Sequence, residues 1–278
     1  MNFTEKVLSA IKKKNSYVCV GLDTDVNRIP KSLYGKSFKR IFLFNRAIIE
    51  ATEPYAIAYK FNSAFYESAG VTGIEALQES ILLVPHTAIT ILDVKRGDIG
   101  STAEHYASAA FDRFSADAVT VNPYLGLDSL EPFLKYKTKG VFVLCLTSNP
   151  GSRDFQQLKL ADGNHLYCTV ARKITDWNTH NNLGLVVGAT HPKELKEIRT
   201  IAQDMPFLIP GIGAQQGDLE KTVLAGLGKN KSPILINASR SIIYASSESD
   251  FAKAAQEQCK KLQNEINSAA DTIKPKKK

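Results

Sequence analysis

The chain has 278 residues, 44% of them hydrophobic and 23% charged, with 35 Lys and Arg against 28 Asp and Glu. This is the balance of a soluble globular protein with room for one large α/β domain, and no apolar run approaches the roughly 20 residues that span a bilayer. The formal net charge of +7 fits an anionic small substrate or a nucleic acid. Part of that charge lies in Lys12 to Lys14 and in the end segment 274–278. Residues 271–278 read as a solvated basic tail, leaving 1–270 as a single domain. Cys19, Cys145, Cys168 and Cys259 are scattered without a C-x-x-C pair, which fits a reducing cytoplasm.

In chain order, MNFTEKVLSAIKKKN places its lysines after its apolar positions and shows no cleavage pattern, so it is not a signal peptide. A first strand is expected over Tyr17 to Asp23, with Cys19, Gly21 and Asp23 on one face and Val18, Val20 and Leu22 on the other. A helix follows over Phe38 to Thr52. The second strand, Tyr55 to Asn62, alternates cleanly: Ala56, Ala58, Lys60 and Asn62 share one face, and Tyr55, Ile57, Tyr59 and Phe61 share the other. A small-residue face that ends in lysine and asparagine suits a crowded barrel interior opening to a polar mouth.

The third strand, Thr87 to Val94, runs into Asp93, Lys95, Arg96 and Asp98, within the stretch ILDVKRGDIGST. A helix is expected at once, over Ser101 to Phe111, with Ser101 and Glu104 at the spacing of a capping box. Strand alternation puts Asp93 and Lys95 on the face that also carries Ile89 and Ile91. An acid and a base side by side at the end of an apolar strand cost desolvation energy, which marks a candidate functional site. The plainer alternative is an ion pair at a strand end.

Further strands are expected at Ala118 to Val121, Gly140 to Thr147, Leu183 to Gly188, Pro206 to Ile209 and Pro233 to Asn237. Helices are expected at Glu75 to Leu83, Leu127 to Tyr136, His165 to Asn178, Pro192 to Ala202, Asp218 to Ala225 and Asp250 to Ile266. Eight strands, each followed by a helix and with no linker between them, give a single (β/α)8 TIM barrel. Active sites of that fold lie at the carboxyl ends of the strands, where Asp23, Lys60, Asn62, Asp93 and Lys95 all fall.

Two later segments have the character of a phosphate grip. Pro210-Gly211-Ile212-Gly213-Ala214-Gln215 follows the seventh strand, with Asp218 placed to cap the next helix. Asn237-Ala238-Ser239-Arg240 follows the eighth. Loops seven and eight are the usual phosphate site of this fold, and arginine matches phosphate in a bidentate fork. A tight turn is the simpler reading of the glycines taken alone. His86, His105, His165, His180 and His191 lack metal-ligand spacing, and Trp177 reads as packed.

The segments GLDTD, AYKFNSAFYE, DVKRGDIGSTAEHYA, LTSNPGS, IPGIGAQQGD and INASRSIIYA, in that order, resemble the orotidine 5′-phosphate decarboxylase family, in the branch with K-F-N on strand two. The resemblance runs from about Cys19 to Tyr244. It implies decarboxylation of orotidine 5′-phosphate to uridine 5′-phosphate without a cofactor or metal. It also implies a catalytic array of Lys60, Asp93, Lys95 and Asp98, with Lys95 as proton donor. Asp98, Ile99 and Thr102 would serve the pocket of the partner subunit in a homodimer. Asp23 and Asn62 would hold the ribose and its surroundings, and Thr147 or Ser148 the pyrimidine. Gln215, Arg240 and the backbone beside Pro210 and Gly213 would hold the phosphate, with Asn237 in support.

Two other readings are open at this point. Sugar-phosphate decarboxylases and aldolases of the same fold share a D-x-K-x-x-D strand but use Mg²⁺; Lys60 and the lack of a further acidic cluster speak against them. A nucleic-acid-binding module would use the positive charge, but no helix-turn-helix, zinc-finger or RNP-like motif is present.

Overall fold

A computed structural model describes residues 1–212 and 218–273. Eight strands close into a barrel in chain order: β1 (Val18–Gly21), β2 (Ala56–Asn62), β3 (Ile89–Arg96), β4 (Ala118–Val121), β5 (Gly140–Leu146), β6 (Leu183–Val187), β7 (Phe207–Pro210) and β8 (Ile234–Ala238). Every neighbouring pair is parallel, including β8 against β1. The helices are α1 (Phe3–Lys14), α2 (Ser37–Thr52), α3 (Ser63–Glu67), α4 (Val71–Leu82), α5 (Gly100–Ser108), α6 (Leu127–Leu134), α7 (Leu166–Trp177), α8 (Pro192–Ile201), α9 (Leu219–Leu227), α10 (Arg240–Ile243) and α11 (Phe251–Asp271). This is the single (β/α)8 barrel that the recurring elements predict. None of these helices is long and apolar enough to cross a membrane.

Alternation divides the apolar residues into two layers. Val18, Val20, Tyr59, Phe61, Val119 and Val143 pack outward against the helices. Cys19, Ala58, Ile89, Ile91, Phe142 and Leu235 fill the interior. The start of β2 departs from the expected pattern, because Ala56 joins the outer layer and Ile57 the interior. The cause is a slip in pairing: Val18 faces Ala56 but Cys19 faces Ala58. One extra residue in a strand turns the side chains before it to the opposite face.

The first helix, α1, is an element the sequence reading left out. The Asn2 side chain accepts the Glu5 N–H and the Glu5 carboxylate accepts the Asn2 N–H, both at 2.9 Å, a reciprocal cap. Phe3, Val7 and Ala10 then face inward and join the interior cluster. The Phe3 ring meets Phe142 edge-on, with centroids 5.6 Å apart. Gly140 makes room for it, since a Cβ there would lie 2.4 Å from the Phe3 ring. The Lys6 ammonium reaches Asp117 at 2.5 Å, and Asp117 also accepts the Thr90 N–H. So α1 is a plug across the amino-terminal floor of the barrel.

The capping box expected at Ser101 and Glu104 does not form. Gly100, at φ +55°, turns the chain into α5 one residue early, and Ile99 takes the cap position without a side-chain hydrogen bond. Ser101 then lies inside the first turn, and Glu104 pairs with Lys135 at 2.9 Å instead. The helix ends in a π-helical turn, Ala109–Arg113. At the other end of the chain α11 continues past Ile266 to bury Ala269 and Ala270, and residues 274–278 of the basic tail lie outside the described residues.

Candidate active site

Asp23 follows β1, Lys60 and Asn62 end β2, and Asp93 and Lys95 end β3; together they line one cavity at the carboxyl mouth. The Lys60 ammonium lies 2.9 Å from Asp93 Oδ2 and 3.3 Å from Asp23 Oδ1, and the Lys95 ammonium lies 2.6 Å from Asp93 Oδ1. Asp93 is therefore held between two ammonium groups, and Lys60 between two carboxylates. Lys60 and Asp93 are 4% and 6% exposed, so these contacts act in a low-dielectric setting.

Their protonation follows from the competition between burial and charge. Burial alone would raise the Asp93 carboxyl, but Lys60 and Lys95 outweigh it and hold it well below the usual carboxylate range. Burial alone would lower the Lys60 ammonium, but Asp93 and Asp23 outweigh it and hold it above the usual lysine range. Both groups are charged at neutral pH.

Alternation does not by itself bring Lys95 to Asp93. The pairing of β3 with β4 slips between Leu92 and Arg96, and Lys95 takes a left-handed backbone at φ +48°. That region is uncommon for a residue with a Cβ, and such strain persists where the surroundings enforce it. Here Thr120, on β4, supplies the constraint. Its hydroxyl accepts the Lys95 N–H at 3.0 Å and donates to Asp93 Oδ1 at 2.8 Å. Sequence reasoning missed Thr120; the signal available was its place two residues after Ala118, on the inward face of a strand beside Asp93.

The same cavity is lined by Pro210 at the end of β7, by Gly211 and Ile212 after it, and by Asn237, Ser239, Arg240 and Ser241 at the end of β8. Gly21 lets the β8 loop approach β1, because a Cβ there would meet the Ser239 hydroxyl at 1.9 Å. Asp218 caps α9 by accepting the Lys221 N–H at 3.0 Å, as its position in the sequence predicts. Gly213 and Gln215 lie outside the described residues. The wall between the two polar ends is apolar, formed by Leu144, Val186 and Leu208 from β5, β6 and β7. These three were also absent from the candidate residues, though each is inward by alternation.

The comparison with protein families matches residues 16–255 to the Orotidine 5'-phosphate decarboxylase / HUMPS family. The chain belongs to that family. An orotidine 5'-phosphate decarboxylase of Dehalococcoides mccartyi is 49% identical over 270 residues, covering 96% of this chain and 98% of the relative. One from Roseiflexus is 48% identical over 270 residues, with 97% and 98% covered. The solved OMP decarboxylase of Leishmania donovani superposes with a TM-score of 0.82 at 41% identity, covering 96% of this chain and 99% of that one.

Some residues that family resemblance puts at the site do not line the cavity of this chain. The Thr147 N–H donates to Gln156 Oε1 at 2.7 Å and its hydroxyl to Asn149 Oδ1 at 2.6 Å. Ser148 packs against Gly188, where a Cβ would lie 2.8 Å from the Ser148 nitrogen. Asp98 accepts the N–H of Ile99 at 2.8 Å, and Ile99 and Thr102 are exposed beside the mouth. Asn62 both lines the cavity and caps α3, accepting the Ala64 N–H at 3.3 Å. Among the described residues no group of three or more His, Cys, Asp or Glu side chains is arranged to hold a metal ion.

Proposed function

We propose that this chain is a carboxy-lyase that converts orotidine 5′-phosphate to uridine 5′-phosphate and CO2, the closing step of UMP biosynthesis. The observation that carries this reading is the Asp23–Lys60–Asp93–Lys95 array, with Arg240 on the far side of the same cavity. Near-full-length relatives of that name, at 48–49% identity, support it.

Loss of CO2 from C6 leaves an electron pair in the plane of the pyrimidine ring, where the π system cannot take it up. Preorganised charge is the available means of stabilising it, and such charge is usually the largest catalytic term. Lys95 stabilises the carbanion and then donates its proton to C6 as general acid. Asp93, kept ionised by its two ammonium neighbours, fixes Lys95 and faces the departing carboxylate; Lys60 bridges Asp93 and Asp23 and offsets their repulsion. The apolar wall of Leu144, Val186 and Leu208 accommodates neutral CO2 better than a carboxylate. Arg240, with the backbone after Pro210 and with Asn237 in support, holds the phosphate; Gly213 and Gln215, to which the resemblance gives the same role, lie outside the described residues. Binding energy gathered there serves the reacting carbon. Asp23 and Asn62 hold the ribose. Thr147 or Ser148 would meet the pyrimidine only by a movement of the β5–α7 loop, since neither lines the cavity.

The working unit in this reading is a homodimer. Asp98, Ile99 and Thr102 do not line this chain's own cavity, and Ile99 is 56% exposed, which supports a role for them in the cavity of a second copy. A cytoplasmic location is supported by four free, buried cysteines. No metal takes part.

The test is the loss of orotidylate absorbance with purified protein, before and after dialysis against chelator. An unchanged rate is expected. A rate restored only by Mg²⁺ would move the protein to the sugar-phosphate branch of the fold.

A further inference from the structure

We infer that Thr120 is the positioning residue of the charge array, its hydroxyl locking Asp93 and Lys95 in register. The inference rests on the reading of Lys95 as the proton donor. A threonine hydroxyl has one proton to give and two lone pairs. In Thr120 the proton goes to Asp93 Oδ1 at 2.8 Å and a lone pair receives the Lys95 N–H at 3.0 Å. Thr120 is 1% exposed, so water does not compete for either bond.

Three features make this more than a satisfied core hydroxyl. First, the β3–β4 ladder is interrupted between Leu92 and Arg96, and the Lys95 N–H finds a side chain in place of a strand carbonyl. Second, Lys95 holds φ +48°, and that left-handed turn needs an outside restraint. Third, Asp93 Oδ1 receives both Lys95 Nζ, at 2.6 Å, and Thr120.

The third feature bears on the reaction itself. When Lys95 donates, an N–H bond of its ammonium breaks and a C–H bond forms with the electron pair left at C6. Lys95 is then a neutral amine, and its hold on Asp93 weakens. The bond from Thr120 is untouched by that step. It keeps the carboxylate aimed until the amine, whose side chain is 47% exposed, takes up a proton from solvent.

The experiment compares Thr120→Val, which keeps the shape, with Thr120→Ser, which keeps the hydroxyl, and with Thr120→Ala. Val and Ala should each lower kcat by about 10- to 100-fold, the value of a hydrogen bond to a charged group. KM and uridylate binding should stay within about threefold, and Ser should return kcat to within about threefold of wild type. Exchange of the C6 hydrogen of bound uridylate in D2O, read by NMR, should slow in Val by the same factor as decarboxylation, which loss of packing alone would not produce. Wild-type kcat in Val, or equal loss in Val and Ser, overturns the inference. Lys95→Ala is run beside them: if it is inactive while Val is normal, only the role of Thr120 fails. If Lys95→Ala keeps its activity, the array reading and the clamp fall together.

Discussion

At its amino-terminal end the barrel is shut by α1, which lays Phe3, Val7 and Ala10 against interior residues such as Cys19, Ile89 and Phe142. At its carboxyl end the same strands present Lys60, Asp93, Thr120 and Asn237 to a cavity. One alternation, continued along one set of strands, thus yields a core at the floor and chemistry at the mouth. The floor is held by area removed from water, about 25 cal/mol for each Å². The mouth holds charges that burial disfavours, and each is tolerated because opposite charge surrounds it. Packing therefore dominates at one end of the strands, and paired charge at the other.

The largest effect should come from breaking the mouth. Lys95→Ala removes proton donation and charge stabilisation together, and kcat should fall by more than about 10⁴. Uridylate binding should persist, and the melting temperature should move little because the Lys95 side chain is 47% exposed. A variant that keeps a tenth of the activity sinks the assignment of the acid.

Breaking the floor should do the reverse. Phe3→Ala empties the plug and should cost about 3–5 kcal/mol of stability in denaturant titration. The folded fraction should turn over at close to the wild-type rate. A loss of kcat in fully folded Phe3→Ala would mean the two ends are coupled.

The charges of the mouth should also set a response to pH. Asp93 is raised by burial and lowered further by Lys60 and Lys95, for a net depression. Its stabilising contribution is thus complete above the ordinary carboxyl range, near pH 4, and is lost as pH falls below it. Lys60 is raised overall by Asp93 and Asp23, so its contribution is complete below about pH 10 and is lost at higher pH. From these two groups alone the melting temperature should be level between the limits, while the thiols of Cys19, Cys145, Cys168 and Cys259, all pushed up by burial, begin the alkaline decline sooner. Asp93→Asn should melt lower at neutral pH and show a shallower acid decline. An acid decline identical to wild type would place the titrating groups elsewhere.

The smallest effect tests whether the mouth belongs to one chain. If the cavity is shared as proposed, Lys95→Ala and Asp98→Asn should each be badly impaired as homodimers. In a mixed dimer one cavity collects both lesions and the other neither. Co-refolding equal amounts should leave about half the dimers mixed, and so return about a quarter of wild-type activity. A mixture no better than the mean of its parents would show that Asp98 serves its own chain.

Most of the barrel could be read from alternation, because successive side chains of a strand turn to opposite faces even where both faces are buried, and in β2 the inward face ends in Ala58, Lys60 and Asn62. Lys60 and Asn62 at the end of the small face of β2 were legible for that reason. The floor was not: Phe3, Val7 and Ala10 have helical spacing, but twelve residues ending in lysines give no sign of what they cover. The slip before Cys19, which exchanges the faces of Ala56 and Ile57, depends on pairing between strands that no single strand reveals. The pairing of Asp93 with Lys95 was anticipated from the wrong cause, since a left-handed Lys95 and the Thr120 hydroxyl produce it. Thr120 escaped notice because one threonine in AVTV looks like an ordinary β-former.

The first and last helices are tied to each other. Gln263 on α11 donates to the carbonyls of Lys14 and Asn15, at 3.1 and 3.0 Å, and Asn267 donates to Asn15 at 2.9 Å. Beside them β1 pairs with β8 in register Val18 to Ile236. The carbonyls that end α1, and one edge of β1, therefore find their partners more than 200 residues away in sequence. Closing a loop of that length is slow, since its entropy is lost before any contact rewards it. Ring closure is therefore expected late in folding, and until it occurs β1 would offer an open edge to another chain; the check is hydrogen exchange during refolding, in which the β1 amides should gain protection after those of β2 to β7.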